Sequence, residues 1–449
     1  MSLLTPPSDV LEIASRLRKA GFETWCVGGA VRDALLGHAH LDWDLATSAT
    51  PAEVMRTFRR TVPVGIAFGT VGVIGRSGRL HEVTTFRHDV KTDGRHAEVE
   101  FGASLEEDLA RRDFTINAIA YNPQNGELFD PFGGRKDLRA GVVRAVGDPE
   151  ARMREDRLRA LRALRFASRF AFSIDPATWK AICNSAPHLT RLSAERVKQE
   201  IEKTMEQVAR PSAAFARWRD AGALQVLVGA VHAAPDERFA ALDCLSRPVG
   251  KRAAERKLLR LAMLFFGDER RTAESALRAL RFSNHDVSWV ARLADARAQL
   301  GEAVDAAMAR EGGASESELR RWAAVVGRTA AASWWRLNAA LWAARREQRT
   351  DGATAVRVPA PSARDVVRTY RRLVRTAYRD PIETGDLQVD GEDLASVGVP
   401  KGPVLGATLK RLLDAVIEHP ERNTREELLR LARLTDGING ARPAPGARE

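Results

Sequence analysis

Cysteine is scarce in this chain: Cys26, Cys183 and Cys244 are the only three in 449 residues, and they lie far apart. That spacing excludes a disulfide framework and the paired ligands of a structural zinc site, and it suits a reducing compartment. No run of 18 apolar residues occurs, which excludes a helix long enough to span a bilayer. The chain leads almost directly into the amphipathic "VLEIASRLRKAGF", so no signal peptide is expected and the expected location is the cytoplasm. Neither the dinucleotide-binding spacing of glycines nor the GKS or GKT of a P-loop is present, which removes two common phosphate-binding designs. Acidic residues are in deficit, with 59 Asp and Glu against 70 Lys and Arg. The resulting charge of +11 suits a polyanionic partner without being specific for one. No internal repeat is apparent, and the length calls for more than one domain.

What is present concentrates near the amino terminus. In "GHAHLDWDLATSATP", from Gly37, Asp42 and Asp44 alternate with Leu41, Trp43 and Leu45. A strand with a period of two places both carboxylates on one face. Such a pair is either solvated on an exposed edge or neutralised by a cation. A hard ion such as Mg²⁺ is held by one or two carboxylates together with substrate phosphates. Just upstream, "WCVGGAVRDALLG" reads as a strand ending at Val27, a turn at Gly28 and Gly29, and a helix from Ala30 to Leu36 stopped by Gly37, with Arg32 in its first turn. Glycines at a strand-to-helix corner let backbone N–H groups approach a phosphate closely. In "LHEVTTFR" a strand sets Glu82, Thr84 and Phe86 on one face, so Glu82 either adds a third carboxylate to the metal site or pairs with an arginine. The segment from Arg87 to Gly102 has little apolar pattern and reads as a mobile loop.

Further motifs follow in order: "LEEDLARRDFTINAIAYN", "LFDPFGGRKDL", "REDRLRALRALRFASRF", "LSAERVKQEIEK" and "GEDLASVGVPKGPVLGATLKRLLDAVIEHPERNTREELL". With the Gly-Gly corner and the Asp-x-Asp strand, this series resembles the class II tRNA nucleotidyltransferases, or CCA-adding enzymes, and the bacterial poly(A) polymerases. Both have a head of the DNA polymerase β-like nucleotidyltransferase type. The resemblance touches both ends of the chain and is least diagnostic from about 210 to 380.

The resemblance implies an α/β head followed by an all-α neck, body and tail. It implies template-independent addition of CCA to tRNA from CTP and ATP, with Mg²⁺ on Asp42 and Asp44. Gly28, Gly29, Arg32 and Arg112 would meet the nucleotide, and Asp113 would orient Arg112 or the sugar. Asp156, Arg159, Arg162 and Arg165 recur every three residues, which puts them on one stripe of a helix, continued by Arg169, with Leu158, Leu161, Leu164 and Phe166 opposite. A carboxylate and a guanidinium can complement the polar edge of a base. The resemblance assigns the reading of C and A to Asp156 and Arg159, nucleotide contacts to Arg162 and Arg165, and a role in the switch from C to A to the Arg87–Gly102 loop.

Other features have a structural reading. Ser193 is the expected cap of a charged helix in which Glu195, Arg196 and Glu200 support the neighbouring helix. His285 and Asp286 read as a helix start, since His188, His232 and His419 are isolated, and no HD-type metal domain is expected. "ASWWRLNAALW" reads as helical core. The expected organisation is a catalytic head over 1–148, a neck over 149–207, a body over 208–349 and a tRNA-binding tail over 350–449, with "EQRTDGAT" as linker and Gly402 and Gly406 around a helix start near Lys401, Lys410 and Arg411. The tail and body would meet the tRNA elbow, and the protein would be a monomer or dimer. Close alternatives are a CC-adding or A-adding variant or a poly(A) polymerase. More distant ones are a small-molecule nucleotidyltransferase, disfavoured by the long helical half, and an inactive RNA-binding relative, disfavoured by the intact Asp42, Asp44, Arg112, Asp156 and Arg159.

Overall fold

The computed structural model describes residues 4–38, 42–92, 97–350 and 360–435. They fall into two compact units, 1–233 and 234–449. In the first unit the strands are β1 (Thr24–Val27), β2 (Asp44–Thr47), β3 (Thr61–Gly65), β4 (Thr70–Ile74), β5 (Leu80–Thr85), β6 (Arg87–Thr92), β7 (Ala97–Phe101), β8 (Ala120–Tyr121), β9 (Leu128–Phe129), β10 (Val142–Val143) and β11 (Ser173–Ile174). The helices that matter to the site are α1 (Ser8–Lys19), α2 (Gly29–Leu35), α3 (Pro51–Thr57), α4 (Leu105–Ala110), α5 (Gly134–Ala140), α6 (Pro149–Glu155), α7 (Leu158–Phe170), α8 (Pro176–Ser185) and α9 (Ala194–Gln207).

Seven strands form one mixed sheet in the order β3-β4-β5-β2-β1-β8-β9. Only β2 and β5 run parallel in it. The pleat sends Cys26, Leu45, Val71 and Val83 to one face, which α1 and α3 cover. α1 does so with Val10, Ile13, Ala14 and Leu17, the apolar stripe expected from its period. On the other face Trp25, Val27 and Ala46 pack with Phe86 and with Leu105 and Leu109 of α4. Asp44 belongs to this second face, because it opposes Val27.

Several expectations need correction. The strand carrying the acidic pair begins at Asp44, so Asp42 lies just before it. The alternation still holds, with Asp42 and Asp44 exposed and Trp43 and Leu45 buried, while Leu41 lies outside the described residues. Phe86 lies on the face of Glu82, as expected, but just past the end of β5 and buried against α4, whereas Glu82 is exposed. The segment read as a loop from Arg87 is a hairpin of β6 and β7, paired from Arg87 with Phe101 to Thr92 with Ala97. Its Asp93-Gly94, a hairpin signal between Val90 and Val99, was outweighed by the surrounding charge; residues 93–96 lie outside the described residues. The stripe from Asp156 to Arg165 is not one helix. Asp156 is extended, at φ −146° and ψ 105°, and ends α6, and α7 starts at Leu158. The Asp156 Oδ1 accepts the Leu158 N–H at 3.0 Å and so caps the new helix from inside the break. Ser193 occupies the cap position of α9, but its side chain makes no capping bond. A parallel pairing of β10 with β11 crosses the expected head–neck boundary at 148.

The second unit is helical. Trp334, Trp335 and Trp342 are buried on the helix Ala331–Thr350, and Trp322 stacks on Trp335 at 6.1 Å. That helix continues through Glu347–Thr350, the first half of the expected linker, and the remainder of that linker lies outside the described residues. Ser283 caps the helix Asn284–Ala309 through the Asp286 N–H at 3.1 Å, so His285 and Asp286 do open a helix. In the tail, the helices Gly391–Ser396, Pro403–Glu418 and Arg425–Thr435 surround Leu394, Leu412, Val416 and Leu428. Gly402, at φ +106°, precedes the second of these, and Gly406 lies in its first turn. Among the described residues no helix is long and apolar enough to cross a membrane.

Candidate nucleotide site

The site is a cleft of about 470 Å³ in the first unit, lined by Gly28, Gly29, Asp44, both Arg111 and Arg112, the arginines of α7, and Arg196, Lys203 and Gln207 of α9. That volume suits a small-molecule ligand. Nine arginine and lysine side chains line it against three carboxylates, Asp44, Asp113 and Asp156. A strongly anionic guest is therefore favoured.

One end is built by the β1–β2 pairing, which sets Gly28 beside Asp44. Gly28 has φ +78°, and a Cβ there would stand 3.1 Å from Arg112 Nη1 and 3.9 Å from Asp44 Oδ2. Only glycine fits this corner without strain. The Asp44 carboxyl is pushed up to about 6 by burial at the cleft floor and then by Glu82 and Asp42, with Arg112 acting in the opposite sense. The residue as a whole is nevertheless exposed to solvent. Glu82 neighbours Asp44 because β5 continues the β2 register one residue before Leu45 and Val83. No group of three His, Cys, Asp or Glu side chains close enough to hold a metal occurs among the described residues. The set available to a divalent ion is thus two or more hard oxygen donors in a field that disfavours their bare charge, a fit that phosphate oxygens would complete.

The arginine wall is held from behind by carboxylates. Asp108, buried in α4, takes Arg111 Nη2 at 2.8 Å and Arg112 Nη2 at 3.2 Å. Burial opposes its charge, but the Arg112 and Arg111 guanidiniums outweigh that and hold it below the usual carboxylate range. The Arg112 Nε is buried and has no hydrogen-bond partner among the described residues, so donor capacity remains on the side chain that faces Asp44. Asp113 was expected to orient Arg112 or the sugar; of the arginines it holds Arg162 and not Arg112, accepting Arg162 Nε at 2.8 Å and Asn117 Nδ2 at 2.8 Å. Its burial is again outweighed, chiefly by Arg162, and its pKa is lowered.

Arg32 lies in the cleft wall but is buried and committed: Nε donates to Asp33 at 2.8 Å and Nη1 to Asn117 at 2.6 Å, and its guanidinium stacks over Phe166 at 4.9 Å. Asp33 also takes Arg169 at 3.0 Å. Arg165 is the most internal of the α7 series, bonded to Glu200 at 2.7 Å and to Gln207 at 3.0 Å. Phe166 was expected on the opposite side of α7. It faces the cleft and carries Arg32, Arg162 and Arg165 on its ring.

At the other end, the break after α6 presents Asp156 and Arg159. Asp156 Oδ2 accepts Arg196 Nη2 at 2.7 Å. Arg159 donates to Glu155 at 2.6 Å and to the carbonyls of Arg152 and Arg111 at 3.2 and 2.9 Å. The carboxylate and the guanidinium both retain bonding positions beyond these partners. Residues that the sequence reading left out of the site are Asp33, Asp108, Asn117, Lys203 and Gln207. Asp33 and Asp108 were detectable as acids in register with cleft arginines; Asn117, Lys203 and Gln207 carry no sequence signal.

Residues 24–144 match the family described as Poly A polymerase head domain, and residues 171–234 match the probable RNA and SrmB-binding site of polymerase A. The chain is 47% identical over 209 residues to the CCA-adding enzyme of Geobacillus stearothermophilus, covering 45% of this chain and 50% of that protein. It therefore spans about half the length of the curated relatives it matches. The crystal structure of the Bacillus stearothermophilus CCA-adding enzyme in complex with CTP superposes with a TM-score of 0.69 at 32% identity, covering 96% of this chain and 97% of that one. The Thermotoga maritima CCA-adding enzyme complexed with tRNA shares the fold, with a TM-score of 0.61 at 20% identity over 95% of both chains.

Proposed function

The chain belongs to the CCA-adding enzymes, and from that premise we propose that it adds CCA to the 3′ end of tRNA from CTP and ATP, releasing pyrophosphate. The observation that carries this reading is one cleft with Asp44, Gly28 and Arg112 at one end and Asp156 with Arg159 at the other. The catalytic division would be the head, 1–148, with base reading in the neck, 149–207, and tRNA backbone on the body and tail.

Asp42 and Asp44 would hold Mg²⁺, with Glu82 beside them. When bound, the ion neutralises triphosphate charge and lowers the pKa of the attacking hydroxyl. Gly28 and Gly29 leave room for phosphate against the backbone, and Arg112 meets the triphosphate with the donors Asp108 leaves open. Arg162, held by Asp113, lines the path of the sugar and base. The 3′-hydroxyl oxygen of the tRNA forms its bond to the α-phosphorus as the bond from that phosphorus to the pyrophosphate oxygen breaks. The protein contributes position and a preset positive field. Cytosine and adenine both offer an amino donor beside a ring-nitrogen acceptor, which Asp156 and Arg159 complement. Arg32 and Arg165 act by shaping the wall.

The test is incubation of the full chain with tRNA lacking its CCA end and labelled CTP and ATP. The expected product is three nucleotides longer, and Asp42→Ala should lower incorporation about 100-fold or more. The match of residues 24–144 to a Poly A polymerase head sustains a second reading, which a long A tail would establish. A stop after CC would mark a CC-adding variant, and incorporation of A alone an A-adding one.

A further inference from the structure

Fourteen large apolar side chains are more than a third exposed among the described residues, and six of them, Val62, Val64, Ile66, Phe68, Leu80 and Phe101, fall within forty positions of the head. The sheet register explains why they gather. Residues opposed across strands share a face. On β5 that face carries Leu80, Glu82 and Thr84, opposed on β4 by Ile74, Gly72 and Thr70. Val62 of β3 opposes Gly72. Asp44 is on the same face, in line with Glu82. The carboxylate face of the sheet therefore runs on, past Glu82, into an uncovered apolar surface.

Gly72 makes its floor. A Cβ at Gly72 would meet Leu80 Cδ1 and Val64 Cγ2, each at 2.8 Å, so the two side chains close over the glycine and form one shelf. Past the turn that follows β3, Phe101 lies against Gly69, and the Arg87 guanidinium stands 6.0 Å from the Phe68 ring. Strands lie about 4.8 Å apart and β4 is two strands from β2, so the floor at Gly72 lies roughly 10 Å from the strand of Asp44, within reach of the nucleotide that presents the attacking hydroxyl. The Arg87 guanidinium beside Phe68 puts a cation at its edge. A flat apolar floor with a cation at the rim suits a nucleobase with its phosphates. Pairing with a second copy along β3 is opposed by Pro63, which has no N–H to give to a neighbouring strand.

We propose that this shelf receives the unpaired 3′-terminal nucleoside of the acceptor RNA, packing its base on Val64 and Leu80 so that the terminal hydroxyl is presented to Asp42 and Asp44. This rests on the reading of the chain as a tRNA nucleotidyltransferase. The test compares kcat/KM of the full chain for C addition to two acceptors, tRNA lacking CCA and the same tRNA with an abasic ribose at its last position. The native chain should favour the intact acceptor about tenfold, the scale of one stacked base. In Val64→Ser with Leu80→Ser the ratio should approach one, and in Leu80→Phe it should be kept or raised. A loss of fold would lower both rates and leave the ratio intact, and Leu80→Thr, a milder exposed change, should still lower it. A ratio that stays near tenfold in the double variant and in Leu80→Thr overturns the shelf. A change in sedimenting mass on substitution, with the ratio unaltered, would give the face to a second copy and overturn it as well. A chain that incorporates nothing on either acceptor overturns the activity itself and the shelf with it, an outcome distinct from an unaltered ratio.

Discussion

Replacing Glu200 by glutamine should destabilise the first unit while leaving the carboxylates of the cleft untouched. Arg165 and Glu200 are 4% and 1% exposed and bonded at 2.7 Å, so each charge depends on the other. Lys203, 3.9 Å from Glu200 and 41% exposed, is too solvated to substitute. With glutamine, the Arg165 guanidinium keeps Gln207 and the Phe166 ring, 4.4 Å away, but loses its counter-charge. Breaking a buried pair from one side costs about 3–5 kcal/mol, and the retained acceptors place Glu200→Gln near 3 kcal/mol. In a unit of this size about 2–4 °C accompany each kcal/mol, so calorimetry should show a fall in Tm of roughly 6–12 °C. Replacing both partners, Arg165→Met with Glu200→Leu, removes the stranded charge and should restore most of that loss. CTP affinity of the double variant, measured by titration calorimetry, should stay within about threefold of native. An unshifted Tm in Glu200→Gln would refute the burial argument. A stable double variant that has lost CTP binding would return Arg165 to direct contact with the nucleotide.

The pH dependence of the metal-free protein gives a second test. The Asp44 carboxyl titrates near 6 when folded against an ordinary 3.8, so the folded state binds that proton more tightly. Its contribution is most favourable below about pH 4 and is lost as pH rises through 6. Asp44→Asn should therefore raise Tm in chelator at pH 8 and not at pH 4, by less than about 1 kcal/mol because the group is exposed. Asp156→Ala with Arg159→Ala should raise UTP incorporation relative to CTP about tenfold or more, since each unmatched buried polar group costs about 1–3 kcal/mol; unchanged rejection of UTP would remove this pair as the reader. Deleting residues 91–95, which removes the last two paired residues of β6, should preserve addition of CC and impair the final A, read by product sizing on a tRNA ending at the discriminator base.

The acidic pair and the glycine corner were legible because their pattern is local: period-two alternation and a Gly-Gly turn each lie within a few residues. The arginine stripe was misplaced because spacing alone cannot see a break. Asp156 fits a helical period as well as any residue there, yet its side chain caps Leu158 more favourably from an extended backbone. The resemblance gives Arg165 and Asp113 roles at the nucleotide, but no local pattern shows the partners that hold them, because Glu200 and Arg162 lie 35 and 49 residues away. The hairpin of β6 and β7 is hard to see in the sequence because its charged, weakly apolar composition masks the Asp93-Gly94 turn signal.

The carboxylate partners, some adjacent and some distant in sequence, explain how a cleft so rich in arginine can fold without its ligand. Nine like charges around about 470 Å³ would repel one another if each side chain were mobile. Asp108 holds Arg111 and Arg112, Asp33 holds Arg32 and Arg169, Asp113 holds Arg162, Glu200 holds Arg165 and Asp156 holds Arg196. Each carboxylate offsets the local repulsion and fixes a guanidinium plane, so an entering triphosphate finds donors already oriented. At the end proposed to read the base the order reverses: there an arginine of α9, Arg196, fixes the carboxylate of Asp156. On that proposal, selection between bases would rest on α9 as much as on α7, because a carboxylate free to rotate could accept from water and tolerate a mismatched edge. A rigid acceptor would make a mismatch costly, and Arg196 is the residue that would supply that rigidity.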